Sequence, residues 1–115
     1  ASGYLGYPYV YAGAGPSGFD CSGFTMFVVQ NTLGIDISHS VPTQYSMGTP
    51  VGKNQLQPGD LVFFENTFSP GLSHVGIYIG NGQFIHAENE STGVVISDLN
   101  SDYYASHYYG AVRLA

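Results

Sequence analysis

The fold of this chain is decided by the stretch Gly18-Phe19-Asp20-Cys21-Ser22-Gly23-Phe24, which predicts a tight turn that opens directly into an amphipathic helix. Asp20 is a favourable N-cap residue for this helix, and Gly34 can close its other end. A cysteine in the first turn meets the positive end of the helix dipole and unpaired backbone N–H groups, and both lower the pKa of a thiol. We therefore expect Cys21 to be a reactive thiolate.

The composition limits the architecture and the partners of the chain. Its 115 residues, 43% of them hydrophobic, are enough for one domain with its own core, and we expect residues 1–115 to form that domain. A single cysteine cannot form a disulfide within this sequence, so Cys21 needs another explanation. The net charge of −6, from two basic and eight acidic residues, disfavours nucleic acid and anionic membrane surfaces as partners. No stretch approaches the roughly 20 apolar residues of a membrane span, so we expect no membrane insertion.

The hydrophobic pattern predicts one helix followed by consecutive antiparallel strands, an α+β arrangement. The helix is expected over residues 21–33, where apolar side chains recur at helical spacing. A short second helix is expected over residues 42–45 and a turn over residues 57–60. The expected strands, with the last at an edge of the sheet, are residues 61–64, 75–79, 83–87, 94–96 and 111–114.

The turn of the central hairpin decides whether two histidines can act together. A two-residue turn at Asn81-Gly82 would put His74 and His86 on opposite faces of the sheet. A three-residue loop that includes Gly80 instead places His86 opposite Gly76, so that both histidines share one face. That register also makes the other face entirely aliphatic, with Val75, Ile77, Ile79, Ile85 and Ala87. We therefore predict the three-residue loop and a shared face for the two histidines.

Cys21, His74 and His86 supply the parts of a nucleophilic cysteine site, namely a thiol, a base and a group that orients the base. Taken singly, a lone cysteine is more often a small buried hydrophobic residue, and each histidine is equally compatible with a structural role, His74 as a polar residue at a strand end and His86 as a hydrogen-bonded core histidine. A zinc site that also uses His39 is an alternative, but the close ligand pairs typical of structural zinc do not occur in the sequence. We expect no metal and no cofactor, we expect His39 at the surface, and we assign no role to His107.

Four motifs in this order resemble the NlpC-type cysteine peptidases, which are bacterial cell-wall endopeptidases with a papain-like fold. The motifs are Phe19-Asp20-Cys21-Ser22-Gly23-Phe24, Pro58-Gly59-Asp60-Leu61-Val62-Phe63-Phe64, Ser73-His74-Val75-Gly76-Ile77-Tyr78-Ile79-Gly80-Asn81-Gly82 and Phe84-Ile85-His86-Ala87. The match runs from about Pro8-Tyr9 to Gly110-Ala111-Val112-Arg113, which is nearly the whole chain. The resemblance implies an N-terminal helix that bears the nucleophile and packs on an antiparallel sheet.

The resemblance also implies a role for each residue of the catalytic site. Cys21 corresponds to the nucleophile, His74 to the general base and His86 to the third, orienting residue. Tyr9, twelve positions before Cys21, corresponds to the residue that lines the site and donates its hydroxyl to the oxyanion. The implied reaction is therefore amide hydrolysis by a thiol protease.

The substrate implied by the resemblance is a peptidoglycan stem peptide, cut between D-γ-glutamate and diaminopimelate or L-lysine. Asp20 and Ser22 correspond to the pair that binds the amine end of this peptide. His39-Ser40 stands where a Pro-Arg pair is common, and this departure concerns specificity rather than chemistry. The resemblance further implies a secreted or cell-wall-associated, extracytoplasmic bacterial protein. Because the domain is acidic and has no basic patch, we expect it to rely on a separate wall-anchoring domain.

Two other functions stay open at the level of sequence. A cysteine hydrolase of the N-acetylmuramoyl-L-alanine amidase type uses the same Cys…His order, although the spacing of twelve between His74 and His86 favours the endopeptidase. A non-catalytic cell-wall binding module is the other, since tyrosines at both ends of the chain can stack on sugars. These tyrosines are Tyr7, Tyr9, Tyr11, Tyr103, Tyr104, Tyr108 and Tyr109. The intact Cys–His–His set favours an active enzyme.

Overall fold

A computed structural model describes residues 9, 14–15, 18–37, 39–67, 71–89 and 91–114, so Tyr7 and Tyr11 lie outside the described residues. The helices are α1 (Cys21–Leu33), α2 (Val41–Ser46) and α3 (Asp102–His107). The strands are β1 (Ala14–Gly15), β2 (Gly18–Phe19), β3 (Thr49–Val51), β4 (Leu61–Glu65), β5 (Leu72–Gly80), β6 (Gln83–Ala87), β7 (Val94–Asp98) and β8 (Tyr108–Arg113). Within the described ranges, no helix combines the length and apolar character needed to cross a membrane.

The predicted α+β class is confirmed by a six-stranded antiparallel sheet with the strand order β3-β8-β4-β5-β6-β7. The predicted position of the last strand at an edge is wrong, because β3 pairs with β8 through Thr49↔Arg113 and Val51↔Ala111. β3 is three residues long and contains Pro50, so its sequence carries little strand signal. β8 therefore lies inside the sheet.

Helix α1 begins and ends where the sequence predicts. The Asp20 side chain accepts a hydrogen bond from the Gly23 N–H at 2.7 Å, and Gly34 has a φ of +70° with its N–H bonded to the Gln30 carbonyl. The burial differs from an amphipathic pattern, because residues 21–25 are all buried whereas residues 30–33 are all exposed. The first turns of the helix are thus enclosed by the protein, Phe24 and Val28 pack against the sheet, and the last turn faces solvent.

The central hairpin has the predicted register but a different turn. Tyr78 pairs with Phe84, as expected if both histidines share one face. The chain reverses through the two residues Asn81-Gly82, whose φ angles are +56° and +74°, and Gly80 pairs with Gln83. A bulge after Tyr78 absorbs the extra residue and restores the register. The three-residue loop is therefore wrong, and the assignment of side chains to faces is confirmed.

The two faces of the sheet support two different clusters. The cluster on the α1 side includes the aliphatic residues Val75, Ile77, Ile85 and Ala87 together with Phe24 and Val28 of α1. The cluster on the other side is largely aromatic and includes Val62, Phe64, Phe84, Leu99 and Tyr104. Both histidines of the hairpin lie on the aromatic side, in ring contact with Phe64 or Phe84.

An ion pair joins the end of β8 to the turn before β4. Arg113 bonds both carboxylate oxygens of Asp60 at 2.9 Å, and the Gln57 N–H donates to the same carboxylate at 2.9 Å. Asp60 is only 2% exposed, and a buried carboxylate is tolerated when it is paired and hydrogen-bonded in this way. The turn predicted over residues 57–60 is confirmed, and the ion pair holds it in place.

We expect Gly76→Ala to destabilise the protein and to disturb the histidine pair. A Cβ at this position would lie 2.6 Å from Phe84 Cδ2 and 3.1 Å from His86 Cβ. Overpacking of a core typically costs about 1–3 kcal/mol. Gly52→Ala is the matched control, because its new Cβ would meet the end of the flexible Asn54 side chain at 3.0 Å. Denaturant unfolding measures the difference, and equal stability of the two variants would contradict the packing described here.

Candidate active site

Helix α1 places Cys21, its first residue, against the backbone of β5. The ladder between β5 and β6 reaches Ile77↔Ile85, and β5 continues beyond it to Leu72. In this continuation the Ser73 carbonyl oxygen accepts a hydrogen bond from Cys21 Sγ at 3.8 Å. The nucleophile predicted from the sequence therefore lies beside the residue that precedes His74.

The thiol of Cys21 is protonated in this environment. Burial, together with the neighbouring Asp20 carboxylate, raises the pKa of Cys21 to about 12. The backbone N–H groups of Ser22, Val75 and Cys21 lower the pKa, but by less. Only a protonated thiol can donate to the Ser73 carbonyl. The expected resting thiolate is therefore wrong. Burial of the helix start raises the pKa of the thiol by more than the N–H groups at the helix start lower it.

His74 and His86 are hydrogen-bonded to each other, with 2.6 Å between His74 Nε2 and His86 Nδ1. Their predicted placement on one face is confirmed, and both are buried, at 4% and 0% exposure. The pKa of each is lowered to about 3, in His86 by burial and in His74 by burial together with the neighbouring His86, against the opposing effect of Glu88. Both imidazoles are thus neutral near pH 7, and a neutral His74 can accept a proton.

Two polar side chains that the sequence analysis missed lie behind His86. His86 Nε2 is 2.9 Å from Ser97 Oγ and 3.9 Å from Glu88 Oε2. The rings that surround the histidine pair are those of Phe64, Phe84 and Tyr104. Glu88 could have been found from its position two residues after His86, because residues two apart in an extended chain lie on the same face. Ser97 gave no local signal because it belongs to β7.

Asp20 contacts two partners through a single oxygen. Its Oδ1 accepts the N–H of Gly23 at 2.7 Å and lies 2.7 Å from His39 Nε2. His39 is exposed, as predicted, but its contact with the residue next to the nucleophile was not foreseen. His39, which differs from the Pro-Arg pair that is common in the family, therefore contacts Asp20, a residue to which the resemblance assigns substrate binding. His107 also has a contact, since its Nδ1 lies 2.9 Å from the Glu65 carbonyl oxygen.

Ser22 and Tyr9 both lie near the start of α1. Ser22 is buried, and its carbonyl accepts hydrogen bonds from Gln44 Nε2 at 2.9 Å and Thr25 Oγ1 at 3.0 Å. Tyr9 is partly buried and forms an isolated bridge with Phe19, the residue before the N-cap. Gln44, which the sequence analysis did not single out, also bonds Thr25 Oγ1 at 2.6 Å and so joins α2 to α1.

The zinc arrangement considered from the sequence is not formed. It requires Cys21, His74 and His86, with or without His39, to converge on one point. The first two histidines bond each other, whereas His39 bonds Asp20. In the part of the chain that the structure describes, no three His, Cys, Asp or Glu side chains are grouped as a metal ion requires.

One cavity among the described residues lies away from these groups. It has a volume of about 510 Å³ and lies between the end of α1 and β5, where its apolar lining includes Val28, Leu33, Pro58, Ile77, Ile79 and Leu114. A cleft of about 390 Å³ lies next to the histidine pair and is lined by Thr67, Glu88, Asn89, Tyr103 and Tyr104. The chemistry of the thiol and the imidazoles therefore identifies the candidate site, and cavity size does not.

Comparison with known proteins gives similarity over nearly the whole chain. A family model described as the NlpC/P60 family matches residues 6–113. The chain is 46% identical over 111 residues to gamma-DL-glutamyl hydrolase of Bacillus subtilis (strain 168) and 35% identical over 113 residues to murein DD-endopeptidase MepH of Escherichia coli (strain K12). These alignments cover 96% of this chain but only 27% and 42% of the two relatives. The crystal structure of the NlpC/p60 domain of peptidoglycan hydrolase SagA matches with a TM-score of 0.85 at 40% identity, covering 97% of this chain and 91% of that chain.

We expect Cys21 to react slowly with iodoacetamide at neutral pH and Asp20→Asn to accelerate the reaction several-fold. Removal of the Asp20 charge lowers the thiol pKa, while asparagine still caps the helix. Alkylation rates followed by mass spectrometry against pH measure this. Asp102→Asn, an exposed residue of α3, controls for the loss of one negative charge. A rate unchanged by Asp20→Asn would contradict the assigned electrostatics.

We expect the free energy of unfolding to fall as the pH drops from about 6.5 to about 3. Across this window His74 and His86 stay neutral when folded but bind protons when unfolded, so acid favours the unfolded state. Each such group contributes a slope of up to about 1.4 kcal/mol per pH unit. His86→Asn should flatten the pH dependence in urea unfolding. Equal slopes for wild type and His86→Asn would show that His86 titrates normally.

Proposed function

This chain belongs to the NlpC/P60 family, and we propose that it is a cysteine peptidase that hydrolyses peptidoglycan stem peptides. The papain-like fold expected from the sequence is confirmed by the match to solved NlpC/P60 domains. We take residues 1–115 as one catalytic domain. The chain spans about a quarter of the length of the Bacillus subtilis relative, so the proposal concerns this domain.

The observation that carries the proposal is the buried hydrogen bond between His74 and His86 beside the helix start that bears Cys21. In the proposed mechanism, Cys21 Sγ attacks the carbonyl carbon of the scissile amide while its proton passes to His74. The resting thiol and imidazole are both neutral, so proton transfer accompanies the attack and does not precede it. His74 can take this role because it is neutral at neutral pH and can accept a proton, although the burial that lowers its pKa also weakens it as a base.

The attack produces a tetrahedral oxyanion that needs hydrogen-bond donors. The backbone N–H of Cys21 and the hydroxyl of Tyr9 are the proposed donors, and one such donor is typically worth about 3–4 kcal/mol. The protonated His74 then donates to the leaving amine, and the C–N bond breaks to leave a thioester on Cys21. Water hydrolyses the thioester with His74 again acting as the base, while His86 holds the His74 ring in position.

The proposed scissile bond joins D-γ-glutamate to diaminopimelate or L-lysine. The name of the Bacillus subtilis relative, gamma-DL-glutamyl hydrolase, supports this bond, whereas the name of the Escherichia coli relative, murein DD-endopeptidase, points to a different bond. Among the described contacts of Asp20, both use Oδ1, which leaves Oδ2 for the ammonium group of an N-terminal L-alanine. Ser22 is the neighbouring residue in the proposed amine site.

The proposed setting is the bacterial cell wall, outside the cytoplasm. The relatives whose names mention murein or peptidoglycan hydrolysis support this setting. The chain carries a net charge of −6 and therefore lacks the general electrostatic attraction to an anionic surface that a basic domain has. We accordingly propose that a separate wall-anchoring domain brings it to its substrate.

We expect the chain to release fragments that end at D-γ-glutamate when it is incubated with defined muropeptides, with products identified by mass spectrometry. Acetylation of the L-alanine amine should reduce cleavage, because the ammonium group proposed to pair with Asp20 is then lost. Cleavage at the muramoyl–L-alanine bond or at the D,D cross-link would overturn the proposed bond. Intact substrates after incubation with the folded protein would overturn the proposed enzyme and favour a binding module.

Two variants separate the roles within the proposed catalytic site. Cys21→Ala should abolish cleavage, since no other thiol is present in the sequence. His86→Asn should retain measurable activity, because an amide can still accept a hydrogen bond from His74 and hold its ring. Equal loss of activity in the two variants would contradict an orienting role for His86.

A further inference from the structure

The hydrogen bond between His74 and His86 leaves one question open, which is where the protons lie. Nε2 of His74 faces His86, so Nδ1 is the nitrogen that remains to act as a base. That nitrogen is basic only if His74 carries its proton on Nε2 and donates it to His86 Nδ1. His86 must then carry its own proton on Nε2. With the opposite direction of hydrogen bonding, His74 Nδ1 holds a proton and cannot accept one from a thiol.

Ser97 alone does not decide this direction. Its Oγ lies 2.9 Å from His86 Nε2, but a hydroxyl can either accept a proton from that nitrogen or donate one to it. The ring contacts around the pair do not decide it either. The residue that sets the direction must present only an acceptor to His86 Nε2.

Glu88 meets this requirement. Its Oε2 lies 3.9 Å from His86 Nε2, which is too long for a hydrogen bond but close enough for a negative charge to favour a proton on that nitrogen. The carboxylate is 22% exposed, so solvent screens this charge only in part. An ionised carboxylate cannot donate, and the bias therefore has a single direction.

The position of Glu88 is set by hydrogen bonds at three of its groups. The Tyr104 hydroxyl donates to Oε2, Thr92 Oγ1 donates to Oε1 at 2.9 Å, and the backbone N–H of Glu88 donates to the Gly93 carbonyl at 2.9 Å. Burial, together with the bond to Glu88, raises the pKa of Tyr104 above its usual range, so its hydroxyl stays protonated and remains a donor. These bonds hold the carboxylate at the rim of the cleft that adjoins the histidine pair.

We propose that Glu88 is a positioning residue that fixes the direction of the hydrogen bonds through His86 and thereby makes Nδ1 of His74 the basic nitrogen. The proposal rests on the proposed function only in assigning His74 the role of base. The proton positions themselves exist in the resting protein and can be measured without substrate.

Nitrogen-15 NMR of histidine-labelled protein distinguishes the two tautomers of each ring. In the wild type we expect both His74 and His86 to carry the proton on Nε2. Glu88→Gln places an amide, which can donate or accept, at the same position, and we expect a mixture of tautomers at His86. We also expect a fall in kcat of roughly tenfold with KM unchanged, a part of the effect that a positioned base supplies. Asp102→Asn removes one negative charge from an exposed site and should change neither readout.

Two further variants keep the proposal falsifiable. Ser97→Ala should retain the wild-type tautomer, since Glu88 remains, and a mixture in Ser97→Ala combined with no change in Glu88→Gln would assign control to Ser97 and overturn the proposal. If Glu88→Gln does not fold, Tyr104→Phe removes one donor to the carboxylate and should give a partial mixture, and an unchanged tautomer would overturn the proposal. Because the NMR readout needs no muropeptide, a wild type that cleaves nothing refutes the proposed function independently of this result.

Discussion

The enclosed start of α1 is the constraint on which the rest of the structure depends. The first N–H groups of a helix lack intrahelical partners, and burial makes it costly to leave polar groups unpaired. Asp20 caps the helix, Gln44 holds the Ser22 carbonyl, and the Ser73 carbonyl of β5 receives the thiol. These bonds leave little freedom in how α1 sits on the sheet. The position of Cys21 is therefore fixed by the helix cap and by the contacts of the helix start with α2 and β5.

The same enclosure determines the protonation state of the site. A buried thiolate and a buried imidazolium would both lose their hydration. The free-energy cost of this desolvation exceeds the electrostatic stabilisation that the start of the helix provides. The thiol has a pKa raised to about 12 and the two histidines have pKa values lowered to about 3, so all three groups rest in their neutral forms. In the proposed mechanism, charge develops only when a substrate carbonyl is attacked. In a site of this kind, groups that orient rings and bias proton positions matter more than groups that supply a charge to the resting nucleophile.

The sequence predicted the parts of the fold that depend on short-range chemistry. Asp20 and Gly34 were identified as caps because capping needs only a particular residue type at a particular helix end. The shared face of His74 and His86 followed from the aliphatic row on the other face, since one face of a sheet must be buried. The turn was mispredicted because a bulge after Tyr78 lets a two-residue turn produce the same register. The sequence cannot distinguish these two solutions when both bury the same side chains.

The alternation of buried and exposed side chains along each strand and the residue preferences at helix ends are local properties, so the sequence alone predicted them. The candidate nucleophile and the two histidines were also identified from the sequence alone. The internal position of β8, the neutrality of Cys21 and the partners of the site were set by packing alone. Ser97 and His39 belong to segments whose local patterns do not indicate the site, and the position of Glu88 two residues after His86 suggested a shared face but not a contact. Burial and distance between groups far apart in the chain are properties of the folded arrangement, and these two quantities govern both pKa values and hydrogen-bond partners.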